Sequence, residues 1–124
     1  MVYVDGFVIP LKKSQLKAYR KLAAEGGRIW MRHGALEYRE CVAEDLAVTD
    51  PATGKRTSPF VRMAKLKRGD TLVFSWVVYR SKAHRKMVNA KVMKEMEKMG
   101  SWEEMPFDMS RMAYGGFKTI VDHR

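Results

Sequence analysis

A chain of 124 residues with 24 Lys and Arg against 14 Asp and Glu, a net charge of +10, is the size of one domain (1–124), burying about two thirds of its unfolded surface. Its one cysteine, Cys41, cannot close an internal disulfide, and no Cys and His cluster has zinc-like spacing, so a reducing compartment, no metal and no cofactor are expected. No signal-type leader and no run near the ~20 apolar residues of a bilayer span occurs, so a cytoplasmic protein without membrane contact is expected, its positive charge drawing polyanions without specifying one.

Residues 2–10, VYVDGFVIP, are β-branched and aromatic and stop at Pro10, which predicts a strand. From Ser14, a candidate N-cap, Leu16, Tyr19, Leu22, Ala23, Ile29 and Trp30 share one side of a wheel turned at ~100° per residue. A helix with that side buried follows. Gly26 and Gly27 interrupt it at about 1 kcal/mol each relative to Ala, predicting a bend there or a close approach of Gly26 to a sheet. His33 and Gly34 read as last turn and C-terminal cap.

Residues 35–45, ALEYRECVAED, mix charged and apolar types as an edge strand does. The Pro, Gly, Ser and Thr of 50–59 predict a mobile connection, and FVRMAKL after it is compatible with a short helix or a strand. TLVFSWVVY, 71–79, is apolar at nearly every position and predicts a central strand covered on both faces. Ser81 caps a second helix that runs to about Met99. Its Val88, Val92, Met96 and Met99 suit the sheet, while Ala83, Met87, Ala90 and Met93 need the 100–108 loop or a partner as cover. Residues 111–122 predict a final strand whose Gly pair marks a bulge or a close backbone contact.

The order β, α, β, β, α, β predicts an α+β fold of ferredoxin-like type, an antiparallel sheet with two helices on one face. The other face is too apolar for water. Pairing with a second copy, sheet to sheet, into a dimeric α/β barrel covers it with the isologous symmetry of most homodimers.

Five blocks, YVDGF (3–7), HGALEYREC (33–41), VFSW (73–76), SKAHRKMVNAKVM (81–93) and MPFDMSRMAYGGFKTIVD (105–122), carry a resemblance to the YbaA-like family, an uncharacterised bacterial group. The resemblance spans nearly the whole chain in order, departing at 46–68, where this loop is longer and more basic, and at Gly26 and Gly27. It implies a dimeric α/β-barrel fold and a homodimer, with no established activity. Some members bear a label linked to signal recognition particle RNA, which reads as an accident of naming. The wider dimeric α/β-barrel class includes monooxygenases and other enzymes using the cleft between sheet and helices, an analogy of fold alone.

Asp5 shares parity with Tyr3, Phe7 and Ile9. If Val4, Gly6 and Val8 face the helices, Asp5 points into the barrel, where a desolvated carboxylate suits general acid or base work; the residue types favour a compensating pair instead. Arg85 and Asn89, one turn apart, could join Asp108 and Arg111 in holding an anionic ligand, or pin the 100–110 loop to the helix. Tyr38, Trp76 and Tyr114 are candidates to line a cavity, and Cys41 reads as a small core residue on the side opposite Glu40. His33 reads as serving the last carbonyls of its helix.

Lys13, Lys17, Arg20, Lys21, Arg28 and Arg32 form a basic stripe opposite the apolar side of the first helix, which Lys55, Arg56, Lys65, Lys67 and Arg68 could extend. It could track phosphates, but no aromatic RNA-stacking motif accompanies it, and a solvated face is the favoured reading. The leading expectation is thus a homodimer binding or processing a small molecule, an anion among the candidates, in the cleft between sheet and helices. Non-specific nucleic-acid binding and a scaffold without chemistry are the alternatives. Whether the chain is an enzyme is left open.

Overall fold

The structure is a computed structural model and describes residues 1–99 and 105–124. Strand β1 (Tyr3–Lys12) leads through a 3₁₀ turn (Lys13–Gln15) into α1 (Leu16–Arg32), then β2 (Glu37–Val42). A hairpin of β3 (Val48–Thr49) and β4 (Arg56–Thr57) and the short α2 (Pro59–Met63) precede β5 (Asp70–Tyr79), α3 (Lys82–Lys98), a 3₁₀ turn (Met109–Arg111) and β6 (Ala113–Lys118).

The main sheet has the order β2-β5-β1-β6, with every neighbouring pair antiparallel. The fold is therefore α+β. β1 runs two residues past Pro10, because β6 stops at the Val8↔Ala113 pair and leaves β1 with one neighbour there, where a missing N–H is tolerated.

Alternation along the central strands decides what lies under the helices. Ile9 and Leu11 of β1 and Val73, Val77 and Tyr79 of β5 are buried against Tyr19, Ala23 and Ile29 of α1 and Val88 and Val92 of α3. Each Val, Leu or Ile among them contributes about 1.5–3 kcal/mol on burial. The opposite face carries Val4 and Val8, Phe74, Trp76 and Val78, and Phe117, of which Phe74 and Phe117 are exposed. In the single chain the outer face of β5 is thus covered at Leu72 but left partly open from Phe74 to Val78, where its uniform apolarity had predicted cover throughout.

Ser14 is not the cap of α1: it sits in the 3₁₀ turn, and the helix starts without a side-chain cap. Leu22, placed on the buried side by the wheel, is exposed. The helix passes through Gly26 and Gly27 unbroken, and both are buried. Ser81 does cap α3, its Oγ accepting from His84 N at 3.1 Å. On the outer side of α3, Met87 and Met93 are exposed. Part of the loop expected to cover them, 100–104, lies outside the described residues, while Phe107 packs edge-on against Tyr19 of α1. Residues 50–59, read as a mobile connection, take part in the β3–β4 hairpin. The final strand ends at Lys118, and its register with β1 runs without a bulge. The Gly pair there serves close contact, since a Cβ on Gly116 would collide with the ring of Tyr3.

Candidate functional site

Asp5 lies on the helix side of the sheet, not on the open face, because it shares parity with the buried Ile9 and Leu11. The residue is 5% exposed, and each carboxylate oxygen has a polar neighbour. Arg85 Nε stands 2.7 Å from Oδ1, off the line of its N–H and so an ion pair more than an aligned hydrogen bond. Oδ2 accepts from Tyr79 Oη at 3.1 Å and Asn89 Nδ2 at 3.4 Å. The Tyr79 proton is shared with Asn89 Oδ1 at 2.9 Å, and Trp30 Nε1 donates to Tyr79 Oη at 3.0 Å. Burial, then the Asp5 charge, push the Tyr79 hydroxyl well above its usual range, so it stays a neutral donor. The network ties α1, β1, β5 and α3 together, and Arg85 turns its Nε to Asp5 while its side chain stays 28% exposed.

Arg85 and Asn89 thus meet Asp5, but Asp108 and Arg111 do not join them. Arg111 Nη2 pairs with Asp70 Oδ2 at 2.9 Å and donates to Lys65 O, and Asp70 is the first residue of β5 whereas Tyr79 is its last. Asp108 accepts from Ser110 N and Oγ. That local turn holds its carboxyl below the ordinary range, as the Lys67 N–H and Arg111 do for Asp70. The anion cluster expected from Arg85, Asn89, Asp108 and Arg111 therefore splits between opposite ends of β5.

Trp76 and Tyr114 cannot line one cavity. Trp76 is on the open face, beneath Arg39 and against Phe74, while Tyr114 is on the helix face, stacked on Phe7 and exposed. Cys41 is exposed on the open face, not a core residue. His33 binds Glu95 of α3 at 2.7 Å beside Arg32, which also pairs with Glu95.

A different constellation lies between α1 and the edge strand β2. A groove of ≈ 660 Å³ opens there, walled by Leu16, Ala23, Met31, Val42 and Val73. In it Tyr19 Oη donates to Glu40 Oε1 at 2.6 Å and Tyr38 Oη donates to Glu40 Oε2 at 2.5 Å. Burial, with the Glu40 charge and hydrogen bond adding to it, raises both phenols far above their usual range, so each stays a neutral donor. Tyr38 and Glu40 share a face because strand residues two apart do; Gly27 admits the Tyr38 ring, which a Cβ would meet at 2.8 Å. Arg20 and Arg28 stand on the rim.

This arrangement can hold a polar group at Glu40 and an apolar body along the walls. Glu40 was passed over in the sequence because β2 mixes charges freely; the usable signal was a carboxylate two residues from Tyr38 on a partly buried strand. Tyr79 and Trp30 were hidden in runs that read as plain core. Among the described residues no three His, Cys, Asp or Glu gather as a metal set, and no helix is long and apolar enough to cross a membrane. Lys13, Lys17, Arg20, Lys21, Arg28 and Arg32 are all exposed.

The family model described as "Protein of unknown function (DUF1428)" matches residues 2–109. The chain is 39% identical over 122 residues to "Uncharacterized protein YbaA" of Escherichia coli (strain K12), covering 98% of this chain and 99% of that protein. The proteins of that name from Escherichia coli O157:H7 and Shigella flexneri match equally. Among solved structures, a de novo designed protein, Foldit4, covers 96% of this chain and 99% of its own at 10% identity, with a TM-score of 0.45.

Proposed function

The chain belongs to the DUF1428 family, and from that premise we propose that it is a homodimer of ferredoxin-like, dimeric α/β-barrel type holding a small organic molecule in the groove between α1 and β2. The strand order with α1 and α3 packed on one face supports the fold reading. Exposed Phe74 and Phe117, with Trp76, Val4, Val8 and Val78 around them, support burial of the open face by a second copy.

The observation that carries the ligand reading is Glu40, half-buried in an apolar groove with only neutral phenols to compensate it. Asp5, by contrast, has its own arginine and serves as a structural pair. Native mass spectrometry of the purified protein tests both parts. A dimer is expected, with an added small-molecule mass that Ala24→Trp, a large side chain put on a residue of α1 that lines the groove, removes. A monomer at micromolar concentration defeats the barrel pairing; an added mass that survives Ala24→Trp, or none in the wild type, defeats the groove.

The exposed basic stripe of α1 favours a second reading, non-specific nucleic-acid binding. It predicts affinity falling steeply with salt in a filter-binding titration. A flat salt response removes it, and loss of both readings leaves a scaffold dimer.

A further inference from the structure

The chemical class of ligand follows from what Glu40 has and lacks, an inference that rests on the groove being a small-molecule site. A carboxylate offers roughly four lone-pair directions. Tyr19 and Tyr38 take one on each oxygen. Among the described residues no Lys, Arg or His lies within ion-pairing distance of Glu40, whereas Asp5, Glu37, Asp70 and Glu95 each have a cation and Asp50 is held by its own turn, accepting from Ala52 N. A partly desolvated negative charge with neutral donors alone is under-compensated.

The surroundings narrow the choice. Tyr19 is 4% exposed and the Tyr38 ring is packed on Gly27, so what they bring to the groove is their hydroxyls, both already spent on Glu40. A carboxylate left in that state suits an ammonium group and opposes a bare anion. Yet Arg20 and Arg28 hold the rim of a chain whose net charge is +10, so a molecule that is only a cation is repelled on approach. Arginine pairs well with carboxylate or phosphate. The walls between are apolar.

The geometry points to a small zwitterion as the ligand, its ammonium seated on Glu40 between Tyr19 and Tyr38 and its acid group turned to Arg20 or Arg28. The experiment uses three probes on one carbon skeleton, ε-aminohexanoate, hexylammonium and hexanoate, titrated into the full-length labelled protein while backbone amide shifts are followed. ε-Aminohexanoate is expected to shift amides of α1 and β2 and to bind about ten-fold tighter than either half-molecule. Glu40→Gln, which keeps the size and an acceptor, is expected to weaken it about ten-fold, and the double change Arg20→Gln with Arg28→Gln, both at exposed positions, to erase its advantage over hexylammonium.

Equal binding of hexanoate or hexylammonium at the same amides overturns the zwitterion while the groove stands as a site. Unchanged affinity in Glu40→Gln overturns the ammonium seat. No groove shift from any probe overturns the class, and the fate of the groove is then read separately from the co-purified mass and Ala24→Trp.

Discussion

Gly27 lies so close to the ring of Tyr38 that a Cβ on it would stand 2.8 Å from Tyr38 Cδ1, whereas a Cβ on neighbouring Gly26 would meet nothing nearer than 3.7 Å. Two adjacent helical glycines therefore differ in kind. Gly27→Ala is expected to lower stability by about 1 kcal/mol net, overpacking of about 1–3 kcal/mol outweighing the roughly 1 kcal/mol gain in helix propensity. Gly26→Ala is expected to raise it by about 0.5–1 kcal/mol. Urea denaturation of the two variants checks the opposite signs.

The Asp5 and Arg85 pair predicts an asymmetry. Arg85→Ala leaves a carboxylate that is 5% exposed with only Tyr79 and Asn89, and is expected to cost about 3 kcal/mol. Asp5→Asn leaves a guanidinium whose side chain is 28% exposed and can turn to water, so about 1–2 kcal/mol is expected. Equal losses in denaturation, or a larger loss for Asp5→Asn, would contradict the burial argument.

His84 makes stability depend on pH. Its Nδ1 accepts from Arg80 N at 3.0 Å, and burial, with Arg80 adding to it, lowers its pKa from the ordinary 6.5. The unfolded chain then takes up a proton that the folded chain refuses. The contribution is complete above pH 6.5 and declines as pH falls below it toward the lower folded value. His84→Asn, which keeps an acceptor, is expected to flatten this part of the profile. Denaturation midpoints at pH 7.5 and 5.5, roughly one unit either side of that value, measure the change.

The open sheet face predicts a separable dimer. Phe74 is 47% exposed in the single chain, so Phe74→Glu is expected to leave the monomer folded while breaking the pair. Cys41 faces Phe74 across β2 and β5 and is exposed in the single chain. Its thiol is expected to react slowly with a water-soluble disulfide reagent in the wild type and rapidly in Phe74→Glu. Equal rates would mean that nothing covers that face.

By itself the sequence determined the order of the four main strands and two long helices and the Ser81 cap, but not the β3–β4 hairpin. These are set by residues within a few positions of one another. It did not determine which face of β1 the helices take. Both parities are apolar there, so Asp5 could be assigned to either side until Ile9 and Leu11 were seen beneath α1. Only the tertiary structure brought Tyr19 to Glu40, 21 residues away, and Arg111 to Asp70, 41 away. Side-chain periodicity reports that a face exists; which other face meets it depends on how helices cross the sheet, a property of the packed core and not of any local stretch. The groove between α1 and β2 belongs to that second kind of information, and so does the separation of Asp108 and Arg111 from Arg85.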